Sequence, residues 1–333
     1  MSQQSKLRST ASKIFWLVAF ILTLAVAFLL QHPVRDTVIG ASYNPPQSVE
    51  AIESRLQLTN SGTRIFAATQ PKLMAGEEFT ETCENIEKSS VVLGCYVSQQ
   101  VILFDVSRTE LDGIKEVTAA HELLHAAYDR LLFFEKPQIK ELLIAEEARL
   151  QADEAFVERM SVYDSLSRED QINELHSVLA TEIRDISPEL EQYYERYFTE
   201  RNAVVELYES YQSVFSELRQ ETERLVAQLD RAASTINELS AQYDTDRAAL
   251  EGDIQSFNAR ADAQQFDSVA EFNFERNELV RRSNALEQQR ININNRIASY
   301  EATLARYDDL AVQLSGLNQS IDSKIEQPLE GVQ

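Results

Sequence analysis

The stretch TAAHELLHAAYDR, Thr118 to Arg130, carries two histidines four residues apart, with a glutamate directly after the first. On an α-helix His121 and His125 fall on one face, one turn apart. Two imidazole nitrogens so placed can hold one Zn2+ at about 2 Å each. Glu122 projects to the side of that face. It is too far round to be needed as a ligand and near enough to hydrogen-bond a water on the metal. The chemistry this suits is hydrolysis. Zinc lowers the pKa of its water towards ~7, and the carboxylate takes the proton and passes it to a leaving amine. The chain has only four histidines, and two of them stand here.

Certain elements must position these groups. The surrounding residues, EVTAAHELLHAAYDRL, are strong helix formers. Asp112 can cap a helix running to about Phe134. Ahead of it three strands are expected, Arg64–Ala68, Val91–Val97 and Val101–Val106. The last two are separated by Ser98-Gln99-Gln100, a length that suits a hairpin. The edge of Val101–Val106 would lie beside the cleft and could hold an extended peptide by β-augmentation. Pro137, Ser167 and Ser187-Pro188 each open a further helix. Gln47 to Leu58 reads as a short helix behind a linker that contains Asn44-Pro45-Pro46.

HELLH on a helix, after a small sheet, resembles the zincin metallopeptidases. The resemblance covers about Arg64 to Phe198 and carries over to His121, Glu122 and His125. The metzincin form would need a nearby Gly and a third His, and HAAYDRLLFFEK has neither. The gluzincin form implies a third ligand, a Glu on a later helix, and the helix after Ser167 is the natural supplier. Its apolar stripe is Ile172, Leu175, Leu179, Ile183 and Ile186. Glu182 and His176 each fall about 60° to either side of the stripe's centre. Glu182, in ATEIRD, fits the gluzincin pattern and is the favoured third ligand. His176, the spare imidazole of this region, is the alternative. Glu146 and Glu147 are weaker candidates in a segment dense with acids. Asp129, one turn beyond His125, could orient a ligand histidine by hydrogen bonding. Tyr128 could meet an oxyanion or simply pack.

From about Glu189 the pattern becomes heptad. Tyr211, Leu218, Leu225, Ala232 and Leu239 recur every seven residues, with Phe215, Thr222, Leu229, Ile236, Tyr243, Leu250 and Phe257 offset beside them. The seam falters through RADAQQFDSVAEF and resumes from Phe272 to Ile321. Two such helices with a break between them can fold back as an antiparallel hairpin. One continuous helix that dimerises is the rival.

At the other end, Ile14 to Leu30 reads IFWLVAFILTLAVAFLL and carries no charge. It is just long enough for a hydrocarbon core of roughly 30 Å. Lys6, Arg8 and Lys13 precede it with no acid among them, which places the N-terminus in the cytoplasm and the bulk of the chain outside. In that oxidising setting the two cysteines, Cys83 and Cys95, are expected to pair. The net charge of −23 argues against nucleic acid as a partner. Gly and Pro are scarce, at 8 and 7, as suits long helices.

The expected fold is mainly α (α+β). Its parts are a cytoplasmic N-terminus (1–13), a transmembrane signal anchor (14–31), a linker and short helix (32–63), a zincin-like domain (64–198), a coiled coil (199–321) and a tail (322–333). The expected function is that of a single-pass zinc metallopeptidase of the cytoplasmic membrane, acting outside it on protein or peptide substrates. The coiled coil would position it, bind a protein partner or self-associate. The alternative is a membrane-tethered coiled-coil interaction protein with a structural or inactive zinc site.

Overall fold

The computed structural model describes residues 2–83 and 92–323, without the side chains at 2–15, 18, 24, 25, 27 and 28. Val91 of an expected strand, Met1, and the tail from 324 lie outside the described residues. The chain divides into two compact units, Met1–Val214 with Leu317–Gln333, and Phe215–Gly316. It is mainly helical, with a small three-stranded sheet and two long C-terminal helices.

In the first unit, α1 (Ser2–Ser42) runs unbroken through the apolar stretch and through Pro33. The expected linker after residue 31 is therefore helical as far as Ser42. Among the described residues no helix is long and apolar enough to cross a membrane. Side chains 14, 15, 18, 24, 25, 27 and 28 of the apolar stretch are outside those residues. Next come α2 (Gln47–Arg55) and α3 (Asn60–Ala68). Arg64–Ala68, expected as a strand, is thus the second half of a helix. Thr59 caps it by accepting from the Gly62 N–H at 3.1 Å, and Gly62, Ile65 and Phe66 form its buried face. That cap and that helical spacing outweigh the β-propensity of a short apolar run.

The sheet has the order β1 (Lys72–Met74), β3 (Gln100–Phe104), β2 (Gly94–Val97). β1 lies parallel to β3, and β2 antiparallel to it. Val101 to Phe104 are buried on both faces of the sheet, which explains their unbroken apolar run. The hairpin turn places Ser98 and Gln99 at φ 49° and 67°, the sense that matches strand twist. Because β3 is central, both its edges are already paired, so among the described residues the edge strands are β1 and β2 and not Val101–Val106. Between β1 and β2 stands α4 (Gly76–Cys83), and Cys83 and Cys95 are joined as a disulfide that ties α4 to β2.

The helices that follow are α5 (Ile114–Asp129), α6 (Lys136–Leu150), α7 (Glu154–Ser161), α8 (Arg168–Thr181) and α9 (Pro188–Tyr194). α5 is entered through Gly113, in the left-handed region at φ 98°. A side chain there would also meet the Leu207 carbonyl at 3.1 Å. Asp112, expected as the cap, instead grips Arg55 through two hydrogen bonds of 2.7 and 2.8 Å. α8 begins as expected, with Ser167 accepting from the Asp170 N–H at 3.3 Å.

The far end of α8 is held by Arg201. Its side chain is buried and donates to the carbonyls of Ala180, Ile183 and Arg184 at 3.1, 2.7 and 2.7 Å, and to the Glu191 carboxylate at 2.9 Å. Ala180 is one of the carbonyls a helix end leaves without partners, and Ile183 and Arg184 belong to the loop that leaves it. Arg201→Met is expected to strand the buried carbonyls and to cost about 2–3 kcal/mol. A urea titration followed by far-UV circular dichroism reads this as a lowered midpoint. An unchanged midpoint would show that Arg201 does not hold the fold.

α10 (Arg201–Asp262) and α11 (Val269–Ile321) are the long helices. Within the second unit Arg260 pairs with Glu275, Arg282 with Asp253, and Arg306 with Glu221. Positions rise on one helix as they fall on the other, so the two run antiparallel. Leu225, Leu229, Leu250 and Ile293, all seam positions of the heptad pattern, are buried. At the break Phe257, Phe266 and Phe272 cluster at 5.0–5.2 Å, with Arg260 over Phe266 at 4.4 Å.

Candidate metal centre

α5 packs on one side against β2 and β3 and on the other against α8. Ala119, Ala120, Ala126 and Ala127 are buried, and their small size lets these neighbours come close. His121 and His125 emerge from one face, ring centroids 4.8 Å apart and edge to face. A carboxylate from α8 meets them. It belongs to Glu174, whose Oε2 is 3.3 Å from His121 Nε2 and whose Oε1 is 3.6 Å from His125 Nε2. One ligand atom from each of the three residues lies within 4.8 Å of the others. Donors on a tetrahedral zinc with bonds near 2 Å stand about 3.3 Å apart, so the three groups are close enough to share one ion after small side-chain shifts. His125 is only 6% exposed, and its ring has just the 3.6 Å approach of Glu174 and a neighbouring Asn173 side chain to meet its nitrogens. A buried ring nitrogen that is only loosely paired is costly, and metal coordination would satisfy it.

Electrostatics tie the three groups together. Burial disfavours a charged His121, but the hydrogen bond and charge of Glu174 outweigh it and hold His121 at about 9. For His125 burial wins and the pKa is lowered, with the neighbouring His121 acting in the same direction. Burial would raise the Glu174 carboxyl, yet the charges of His125 and His121 and a hydrogen bond from Tyr163 bring it down. The metal-free site therefore keeps a carboxylate and holds a proton on His121 at neutral pH. A metal must displace that proton. Zinc affinity is expected to rise by up to about tenfold per pH unit from pH ~6 and to level off near pH 9. Competition with a chromophoric chelator, corrected for its own protonation, measures this. A flat profile would contradict the His121–Glu174 coupling.

Glu122 is 3% exposed and faces β2. A Cβ at Gly94 would stand 2.6 Å from the Thr118 methyl and 3.0 Å from Glu122 Oε1. Only glycine lets the edge strand come this close to the carboxylate, and the disulfide partner Cys95 is the next residue.

The two residues expected as third donor lie elsewhere. Glu182 is the residue that ends α8 and pairs with Arg159 Nε at 3.1 Å. Arg159 also hydrogen-bonds the Tyr208 hydroxyl. The charge of Glu182 reaches His121 only through space. His176 is fully buried among aromatic rings, its Nε2 2.9 Å from the Tyr193 hydroxyl. Burial, reinforced by His125 and His121, lowers it to about 3. It is a neutral core histidine. Asp129 is exposed at the end of α5 and acts on His125 only as a distant charge. Tyr128 packs against His176 at 5.2 Å. Glu146 accepts from Arg149 and from the Ser187 N–H, and Glu147 pairs with Arg168.

Glu174 is not among the donors expected from the sequence. It lies about 140° from the centre of the apolar stripe on α8, the wrong side for a helix buried along one face. α8 is instead buried nearly all round from Ile172 to Thr181. The signal that points to it is the uncharged run LHSVLAT, residues 175–181, which leaves Glu174 as the last acid before a fully buried turn.

Comparison with family models, with curated proteins and with solved structures finds no match for this chain. Its functional reading rests on the geometry.

Proposed function

We propose that the chain is a zinc-dependent metallopeptidase in which His121, His125 and Glu174 hold the ion and Glu122 is the general base. The observation that carries this is the convergence of the Glu174 carboxylate on both imidazoles, at 3.3 and 3.6 Å. Among the described residues the cluster has three donors. A structural zinc site fills all four positions with protein ligands, whereas a catalytic one leaves one open. Bound there, zinc would acidify water and polarise a scissile carbonyl. Glu122, fixed beside Gly94, would take the proton and pass it to the departing amine. The outer edge of β2, which no strand pairs among the described residues and whose first residue lies beside Glu122, would receive an extended peptide.

The same reading places the chain in the cytoplasmic membrane through residues 14–31, with its bulk outside. Trp16, Phe20, Ile21 and Leu22 of α1 are all exposed, Trp16 by 68%. Large apolar side chains in that setting are suited to lipid. The antiparallel pair α10–α11 would serve as the coiled coil that positions the enzyme or binds a protein partner.

The test uses the full chain in detergent. Bound zinc is measured, and a peptide library is assayed before and after chelation. About one zinc per chain and cleavage restored by added zinc support the reading. Zinc without cleavage would favour the tethered coiled-coil protein with an inactive site. Absence of both would overturn the two readings together.

A further inference from the structure

The turn after α5 carries two phenylalanines whose rings are largely exposed. Phe133 is 75% exposed and Phe134 47%, and their rings meet edge to face at 5.4 Å. The frame beneath them is well defined. Leu131 is buried in the core. The N–H groups of Glu135 and Lys136 both donate to the Leu132 carbonyl, at 2.8 and 3.1 Å. The Glu135 carboxylate accepts from the Leu132 N–H at 3.0 Å and from Arg196 at 3.0 Å. A braced turn that presents two large rings to water points to a second apolar phase.

The start of the chain says which phase. Arg130, three residues before Phe133, is clamped by Asp36 of α1, with Nε to Oδ2 at 2.8 Å and Nη2 to Oδ1 at 3.0 Å. One turn further along α1, a Cβ on Gly40 would stand 3.1 Å from that of Ala67, so α1 is seated closely on α3. α1 is continuous helix from the apolar stretch to this clamp. Asp36 lies six residues beyond Leu30, about 9 Å along the axis. A headgroup layer is about 5–8 Å thick on each side. Asp36, and Arg130 with it, would stand at the outer face of the headgroups, with Phe133 a short reach away.

We infer that Phe133 and Phe134 form a second membrane contact, both rings resting in the boundary between headgroups and acyl chains of the leaflet that α1 leaves. This rests on the membrane-anchor part of the proposed function and is independent of the zinc chemistry. Apolar rings at that depth are the usual interfacial anchors of membrane-bound proteins. From Arg130 to His121 is about 13 Å along α5. Held at both α1 and this turn, the metal-binding face stays close to the bilayer. The substrate class this favours is polypeptide segments lying near the membrane surface.

The chain has a single tryptophan, Trp16, inside the apolar stretch. The full chain and a version carrying Trp16→Phe with Phe133→Trp are placed in phosphatidylcholine nanodiscs, with acyl chains brominated at shallow or deep positions. The indole at position 133 is expected to emit to the blue of free indole and to be quenched about twofold or more by shallow bromines. Quenching of Trp16 in the unmodified chain, with none at position 133, overturns the loop contact and leaves the anchor standing. No quenching at either position overturns both. The readout is fluorescence, so failure to bind zinc or to cleave peptides leaves the outcome of this test unchanged.

Discussion

Glu122→Gln is expected to lower peptide hydrolysis by about 10²–10⁴-fold, the usual contribution of a positioned general base, while zinc stays bound at unchanged stoichiometry. The substitution replaces one carboxylate oxygen by an NH2 group and keeps the shape. Shape matters here, because the side chain is 3% exposed and lies against the backbone of Gly94. A shorter side chain would open a cavity between α5 and β2 and confound the loss of a base with a shift of the strand. The amide cannot accept a proton at neutral pH. Parallel measurement of kcat on the best library peptide and of zinc by atomic absorption separates the two effects. Retained hydrolysis would remove Glu122 from the mechanism. Zinc lost along with activity would make it a ligand or a structural residue instead.

The parts of the fold that are legible in the sequence are those with a local signature. The long helices declare themselves through the seven-residue recurrence of Leu225, Leu229, Leu250 and Ile293, which the structure buries. The hairpin and the helix after Ser167 follow from turn length and from a capping hydroxyl. Arg64–Ala68 reads as a strand and folds as a helix because five residues are too few to carry a period. What decides that segment is Thr59, five residues upstream, together with packing against α1. Asp112 departs from its expected place for a related reason. Its local role as a cap competes with Arg55, 57 positions away in sequence, and no local pattern reveals that partner.

The site is half legible for the same physical reason. His121, Glu122 and His125 share one helical turn, so their geometry follows from the 3.6-residue period alone. The third donor depends on how α8 crosses α5, which is a tertiary fact. An amphipathic reading of α8 looks for donors beside the apolar stripe and so selects Glu182 and His176. That reading assumes one wet face. α8 has almost none, since α5, α6, the tyrosines of α9 and the Arg201 side chain enclose it. On a helix enclosed in this way, a buried acid opposite the stripe signals a partner better than one on its flank.

The sharper consequence concerns the three residues of α8. Glu174→Ala is expected to weaken zinc binding by more than about 100-fold, because loss of a group that merely orients a ligand already costs 10–100-fold. A hundredfold is about 2.7 kcal/mol. Glu182→Gln should change zinc affinity by less than about tenfold, since its charge acts on His121 through space and its direct partner is Arg159. Its cost should appear as lower thermal stability, because the substitution leaves Arg159 without its carboxylate beside Tyr208. His176→Gln should also spare zinc affinity and lower stability, by disturbing the hydrogen bond to Tyr193 and the surrounding rings. Isothermal titration at fixed pH gives the affinities, and differential scanning calorimetry of the metal-free chains gives the stabilities. The two readouts must move in opposite patterns. Glu174→Ala should lose affinity more than stability, and the other two should lose stability more than affinity. If Glu182→Gln abolished zinc binding while Glu174→Ala retained it, α8 would have to turn by about 80° and slide by about 12 Å to bring position 182 to the imidazoles, and the packing of α8 against α5 would be wrong.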